Sequence, residues 1–235
     1  RDFAFTGCIG LTSFTLPKGV ISVGKNAFAG CHGLTNIDFV AGIEHLADGM
    51  FKACLGLVNI TIPASIKSIG VSTFAGCTNL ESVVLSENIE IIGESAFASC
   101  QSLKSILFPE SITEIGEYAF SNCTSLSEIV IPDNVQRLGY FAFFDCTALE
   151  KAIIGKGVTV IEFKTFCGCI SLTEVTLSEN ITKLQNEILG GCTSLKNIIF
   201  GGTQSEWDEI NKFGAWNVNT PNYYIVCTDG TLVKS

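Results

Sequence analysis

The sequence has no apolar run near the ~18–20 residues that a membrane-crossing helix needs, and only two arginines in 235 residues. The first absence removes membrane insertion of a helix within this chain from the expectations. The second, with a net charge of −9, argues against a surface that grips a phosphate backbone, so nucleic acid is not an expected partner. Histidine occurs twice, as His32 and His45, both read as surface residues, and no Cys-x-x-Cys pair exists; Cys167-Gly168-Cys169 is the nearest approach. Neither a zinc site nor a calcium loop of the D-x-D-x-D-G kind is therefore expected. G-x-S-x-G, P-loop and H-E-x-x-H patterns are missing as well. A Cys–His nucleophile would need an activated thiolate, whereas the cysteines here read as buried. No enzymatic activity, metal or cofactor is expected. The chain opens at Arg1 in mid-repeat, without a signal peptide; it reads as a processed or truncated chain, which says nothing about targeting.

What the sequence does have is period. Cys8, Cys31, Cys54, Cys77, Cys100, Cys123, Cys146, Cys169 and Cys192 follow one another at 23 residues. A phenylalanine precedes each of the first eight by three positions, from Phe5 to Phe166, and a leucine follows all nine by three, from Leu11 to Leu195. A fixed period in this range marks a solenoid whose units stack as coils. It also explains a hydrophobic content of 47% and a mean hydropathy of +0.41, since several side chains of every coil point inward. One such coil cannot bury enough to offset the entropy of ordering its own chain, so stacking must supply the difference.

Within a unit, L-x-x-I-x-I places its fourth and sixth positions on one face and its fifth on the other, the alternation of a short strand. Pro17, Pro63, Pro109 and Pro132 close these strands. A second apolar pair follows, such as Ile66 with Ile69, as another short extended piece. Gly24, Gly70, Gly93, Gly116 and Gly139 then mark a tight bend or a close backbone approach, though Ala47, Glu162 and Gln185 interrupt the column. The Ala-Phe pair reads as one helical turn. The residue before each cysteine is mostly Gly, Asn or Asp, which suits a left-handed terminator. Cysteines in one column would have parallel rather than facing side chains, so they are expected as buried free thiols filling apolar space. Cys167 and Cys227 stand outside the column.

The period stops after Phe200. GGTQSEWDEINKF sets Thr203 three residues before Glu206, a capping box opening a short helix. YYIVCTDGTLV reads as a hairpin turning at Asp229-Gly230. The expected organisation is a solenoid over 1–200 and a C-terminal cap over 201–235, with Trp207 and Trp216 covering the open end of the stack.

The motif L-x-x-I-x-I-P-x-x-(I/V)-x-x-I-G-x-x-A-F-x-x-C resembles the BspA-like, treponemal-type leucine-rich repeats of bacterial surface proteins, across residues 1–200. The tail is similar to terminal segments of such proteins from anaerobic gut bacteria. The resemblance implies a right-handed leucine-rich repeat superhelix with short parallel strands and one helical turn per repeat. It further implies a secreted or cell-surface protein, adhesin-like, binding host or neighbouring-cell macromolecules: a surface protein first, a glycan as a further candidate. A structural spacer projecting another domain is the alternative.

Two groups of residues are candidates for contact. Val84, Leu107, Val130 and Ile153 occupy the outward strand position on four adjacent coils, where they form either a docking stripe or merely β-branched residues suited to strands. Tyr118, Tyr140, Phe141, Phe144 and Phe163 are aromatic where other units are polar or small. Local packing between coils and an exposed patch for a partner both account for them. The scattered outer carboxylates, including Glu87, Glu110 and Asp133, read as a solvated face.

Overall fold

A computed structural model describes residues 1–39 and 42–234. The chain winds as a solenoid in which equivalent residues of successive units pair side by side. Strands on one face run from Ser13–Thr15 through Asn59–Thr61, Ser82–Val84 and Glu128–Ile131 to Asn197–Phe200, always parallel, with partners 23 residues apart such as Asn59↔Ser82 and Glu128↔Lys151. A second series of two-residue strands, from His45–Leu46 to Lys183–Leu184, runs along an adjacent side. Side chains alternate as the pleat requires: Glu128 and Val130 are exposed while Ile129 and Ile131 are buried.

Same-numbered side chains form files through the interior. Phe28, Phe51, Phe74, Phe97, Phe120, Phe143 and Phe166 are all at most 1% exposed. Their rings stack 5.2–5.7 Å apart with planes within 14°, the offset geometry that aromatic pairs favour. Beside them runs the sulfur file. Each thiol from Cys31 to Cys192 donates to the carbonyl of the phenylalanine one coil back, at 3.0–3.2 Å. The thiols thus act as donors as well as fillers. All eleven cysteines are free; Cys8, on the first coil, is exposed, and Cys167 is half-buried. Burial pushes the thiols of Cys77, Cys146 and Cys192 up to about 12.

The segment expected as a helical turn forms two successive tight turns rather than an α-helix. Ala29 N–H donates to Asn26 and Cys31 N–H to Phe28, while the alternate amides of Asn26, Phe28 and Gly30 donate to Asp48, Met50 and Lys52 of the next coil. Half the amides are therefore committed between coils, which an α-helix cannot do. Two residues per unit take positive φ to permit this. One is the residue before the cysteine, from Gly7 to Gly191, including Ala53, Ser99, Asn122 and Asp145. The other lies four residues earlier: Phe3, Asn26, Gly49, Ser72, Ser95, Tyr118, Phe141, Lys164 and Glu187. The glycines at 93, 116 and 139 serve close approach instead. A Cβ on Gly116 would lie 2.6 Å from the amide nitrogen of Glu94.

After Phe200 the repeat motif is gone, but the backbone makes one more circuit. Asn211–Lys212 pairs with Lys183–Leu184, and Tyr223–Cys227 pairs in parallel with Asn197–Phe200. Trp216 continues the ladder between coils, its carbonyl accepting from Leu189, and its ring meets Trp207 and Tyr223 edge-on at 6.1 and 6.3 Å. Gly214 and Asn219 repeat both positive-φ positions. The short helix Gln204–Glu209 carries the capping box of Thr203 and Glu206, and Trp207 is buried against Phe200 with ring centroids 5.4 Å apart. The strand Gly230–Lys234 then turns back antiparallel to Tyr223–Cys227. Because Cys227 pairs with Gly230, the hairpin turns on Thr228-Asp229, one residue earlier than the Asp-Gly pair suggests.

Candidate binding face

The outward position of the first strand series builds the face. Val84, Leu107 and Val130 are 57%, 84% and 48% exposed, and Ile153 is half-buried. Their inward neighbours Val83, Ile106, Ile129 and Ala152 are buried, so the pleat alone turns the four toward solvent. The line continues through half-buried Thr176 and Ile199.

The strand face is interrupted twice. Asn36–Asp38 does not pair with Asn59–Thr61, nor Ser105–Ile106 with Glu128–Ile131. Both interruptions follow a phenylalanine, Phe39 or Phe108, in a slot that holds leucine or isoleucine in the other units except the last, where Phe200 sits in a strand that pairs onward. Each ring packs edge-on against the ring file, Phe39 on Phe51 at 6.1 Å and Phe108 on Phe120 at 5.6 Å. At the second interruption lies a groove of about 400 Å³ lined by Leu107, Phe108, Val130 and Pro132, with Glu110 and Glu128 at its rim. A neighbouring hollow of about 430 Å³ runs over Val130 and Ile153 and shares Glu110. The first interruption has a groove of about 360 Å³ with a more polar lining, including Asn36, Asp38 and Asn59.

Charges are arranged along the coils rather than across a site. Lys25–Asp48, Lys67–Glu44, Lys104–Glu81, Arg137–Glu114, Lys151–Glu174, Lys156–Glu179 and Lys164–Glu187 pair at 2.5–3.3 Å, always one unit apart. Among the described residues Glu87, Glu110, Glu128, Asp133 and Glu150 take part in no ion pair. His32 and His45 are exposed, and His45 Nδ1 lies 2.7 Å from Ser68 Oγ. Among the described residues no group of three or more His, Cys, Asp or Glu is placed to hold a metal ion.

The aromatic residues gather around Phe141. Tyr118 stacks on it at 4.5 Å and 7°, while Phe144 and Phe163 meet it edge-on at 5.6 and 5.2 Å. Lys164 lies over Phe163. Tyr118 and Tyr140 present the exposed part of the group; the three phenylalanines are half-buried. The second strand series breaks here, between Arg137–Leu138 and Val160–Ile161, where Glu162 stands in the column that holds glycine from Gly70 to Gly139. Its carboxyl is pushed up by burial, against the pull of Lys183 and Arg137.

The model of the BspA type leucine rich repeat region, a unit of six copies, matches residues 1–126 and again 90–212. The chain belongs to this BspA-type family. The T. pallidum leucine-rich repeat protein TpLRR is similar to it, with 29% identity over 78% of this chain and 77% of that one and a TM-score of 0.63. A leucine-rich repeat protein of Eubacterium ventriosum (18% identity, 93% and 79% covered, TM-score 0.53) shares the fold. So does the pneumococcal vaccine antigen PcpA (17% identity, 89% and 68% covered, TM-score 0.54). A search of curated proteins gives no match. BspA-type repeats are consistent with a protein-interaction or surface-protein module, on a fold that is typically a non-catalytic binding scaffold. Proteins of this type are usually on the surface of bacteria or secreted by them. Among the described residues no helix is long and apolar enough to cross a membrane.

Proposed function

We propose that this chain is a non-catalytic, adhesin-like recognition module, outside the cell, whose outward strand face binds a macromolecule of a host or of a neighbouring cell. The observation that carries this reading is the line Val84, Leu107, Val130 and Ile153, apolar side chains turned to solvent on four consecutive coils. Tyr118 and Tyr140 add a secondary patch on the flank. Residues 201–235 serve as the cap that closes the stack, with Trp207 and Trp216 as its apolar lid. A second reading, a spacer holding another domain away from the cell, is favoured by the ion pairs that link residues one unit apart along much of the stack. Replacing Val84, Leu107, Val130 and Ile153 with aspartate separates the two. In a binding screen against matrix proteins and glycans, the variant is expected to lose a partner that the parent chain captures, with cooperative melting retained. A captured partner that the variant holds equally well would refute the strand face.

A further inference from the structure

We propose that the groove between the Ser105–Ile106 and Glu128–Ile131 strands is a subsite for a cationic polypeptide segment, taking one apolar anchor side chain flanked by lysine or arginine. This rests on the reading of the strand face as the binding surface, and assigns the chemistry of its partner. The groove lies beside Phe108, where the parallel ladder of the strand face is interrupted. Its walls, Leu107 and Val130, are the most and least exposed of the three open ridge residues, at 84% and 48%. A volume of about 400 Å³ accommodates a single side chain with its stem rather than an extended apolar surface.

The rim decides the charge. Glu110 and Glu128 are exposed and flank the groove from either side of the ridge, with Asp133 one coil beyond Glu110. The cations within reach are already engaged: Lys104 by Glu81 at 2.5 Å, Lys151 by Glu174 at 3.1 Å and Lys156 by Glu179 at 3.1 Å. An apolar strip between unneutralised carboxylates repels an acidic partner. It suits lysine and arginine, whose methylene stems lie along apolar surface while their heads reach the acids.

The probe is a short synthetic peptide with a central leucine flanked by lysines, compared with counterparts in which glutamate replaces the lysines or serine the leucine. Fluorescence anisotropy at low and high salt is expected to show the lysine–leucine peptide binding at least about tenfold tighter than either counterpart, weakening as salt rises. The Glu110→Gln, Glu128→Gln double variant is expected to lose about three- to tenfold, an exposed ion pair being modest individually. Leu107→Ser, at a site too exposed to affect folding, is expected to lose the preference for leucine. Equal binding of the three peptides, or an affinity indifferent to these variants, overturns the proposal. If the aspartate variants of the ridge still abolish capture of a protein or glycan in the screen, the strand face stands and only the cationic assignment falls. If they do not, both fall.

Discussion

Removing one ring from the middle of the phenylalanine file tests the architecture most directly. Phe97 is fully buried and stacks at 5.2 Å on both Phe74 and Phe120. Truncating a buried phenylalanine to alanine costs about 3–5 kcal/mol in transfer and cavity terms, and each lost ring pair adds about 0.5–1.5 kcal/mol, partly overlapping. We expect Phe97→Ala to cost about 5 kcal/mol, a large fraction of the stability of any single domain. Phe5 is the internal control. It belongs to the same file but is half-buried and has a file neighbour on one side alone, Phe28 at 5.1 Å, so Phe5→Ala should cost about 1–2 kcal/mol. Urea denaturation followed by circular dichroism reads both. Because each coil touches only its neighbours, the central variant is also expected to lose the sharpness of a single transition, as the coils on either side of the defect unfold separately. A cost for Phe97→Ala below about 1 kcal/mol, or equal to that of Phe5→Ala, would show that the rings do not carry the interior.

The thiols give a second test: in the folded protein Cys8 should react rapidly with a disulfide reagent and Cys167 slowly, and denaturant should release eleven. Since burial raises the thiols of Cys77, Cys146 and Cys192 from an ordinary 9.0 to about 12, their contribution is complete below pH 9. It declines as pH rises from there toward 12, because the unfolded chain ionises first; denaturation midpoints across that window check it. Gly116→Ala should destabilise by more than about 2 kcal/mol through its clash with Glu94. Gly76→Ala, with nothing closer than 3.9 Å but φ +73, should cost only the ~1–2 kcal/mol of a left-handed alanine. Thr203→Ala removes the capping oxygen at Glu206 N–H and should lower stability by about 1 kcal/mol, measured by thermal melting.

Much of the fold was legible because the period makes every unit repeat the same statement. The residue before each cysteine showed its left-handed conformation through Gly, Asn and Asp, and Ala53 and Ser99 obey it although their own identities do not ask for it. The second left-handed position had no such signature. Tyr118, Phe141, Lys164 and Glu187 share it with Gly49 and Asn26, because hydrogen bonds to the neighbouring coils impose the conformation whatever the side chain. The last circuit was hidden for a different reason. Asn197 pairs with Tyr224, 27 residues on, so inserted residues and the helix shift Trp216 out of the counting frame although its carbonyl accepts from Leu189 as that of Ile188 accepts from Phe166 one coil earlier. The ridge was readable from strand alternation. The groove was not: Phe108 and Phe39 mark the two interruptions, but Phe200 fills the same slot in a strand that pairs onward, so the residue alone does not announce a break.

The thiol-to-carbonyl relay has a consequence for how such a chain can change length. Each coil receives from the one before, and passes to the one after, the same set of donors and acceptors. Excising or duplicating one unit of 23 residues among the central coils would therefore leave every remaining junction with a partner of the right kind. Evolution can lengthen or shorten the reach of this protein by whole units while the chemistry displayed on each unit varies independently, because no coil depends on the identity of any other beyond its immediate neighbours.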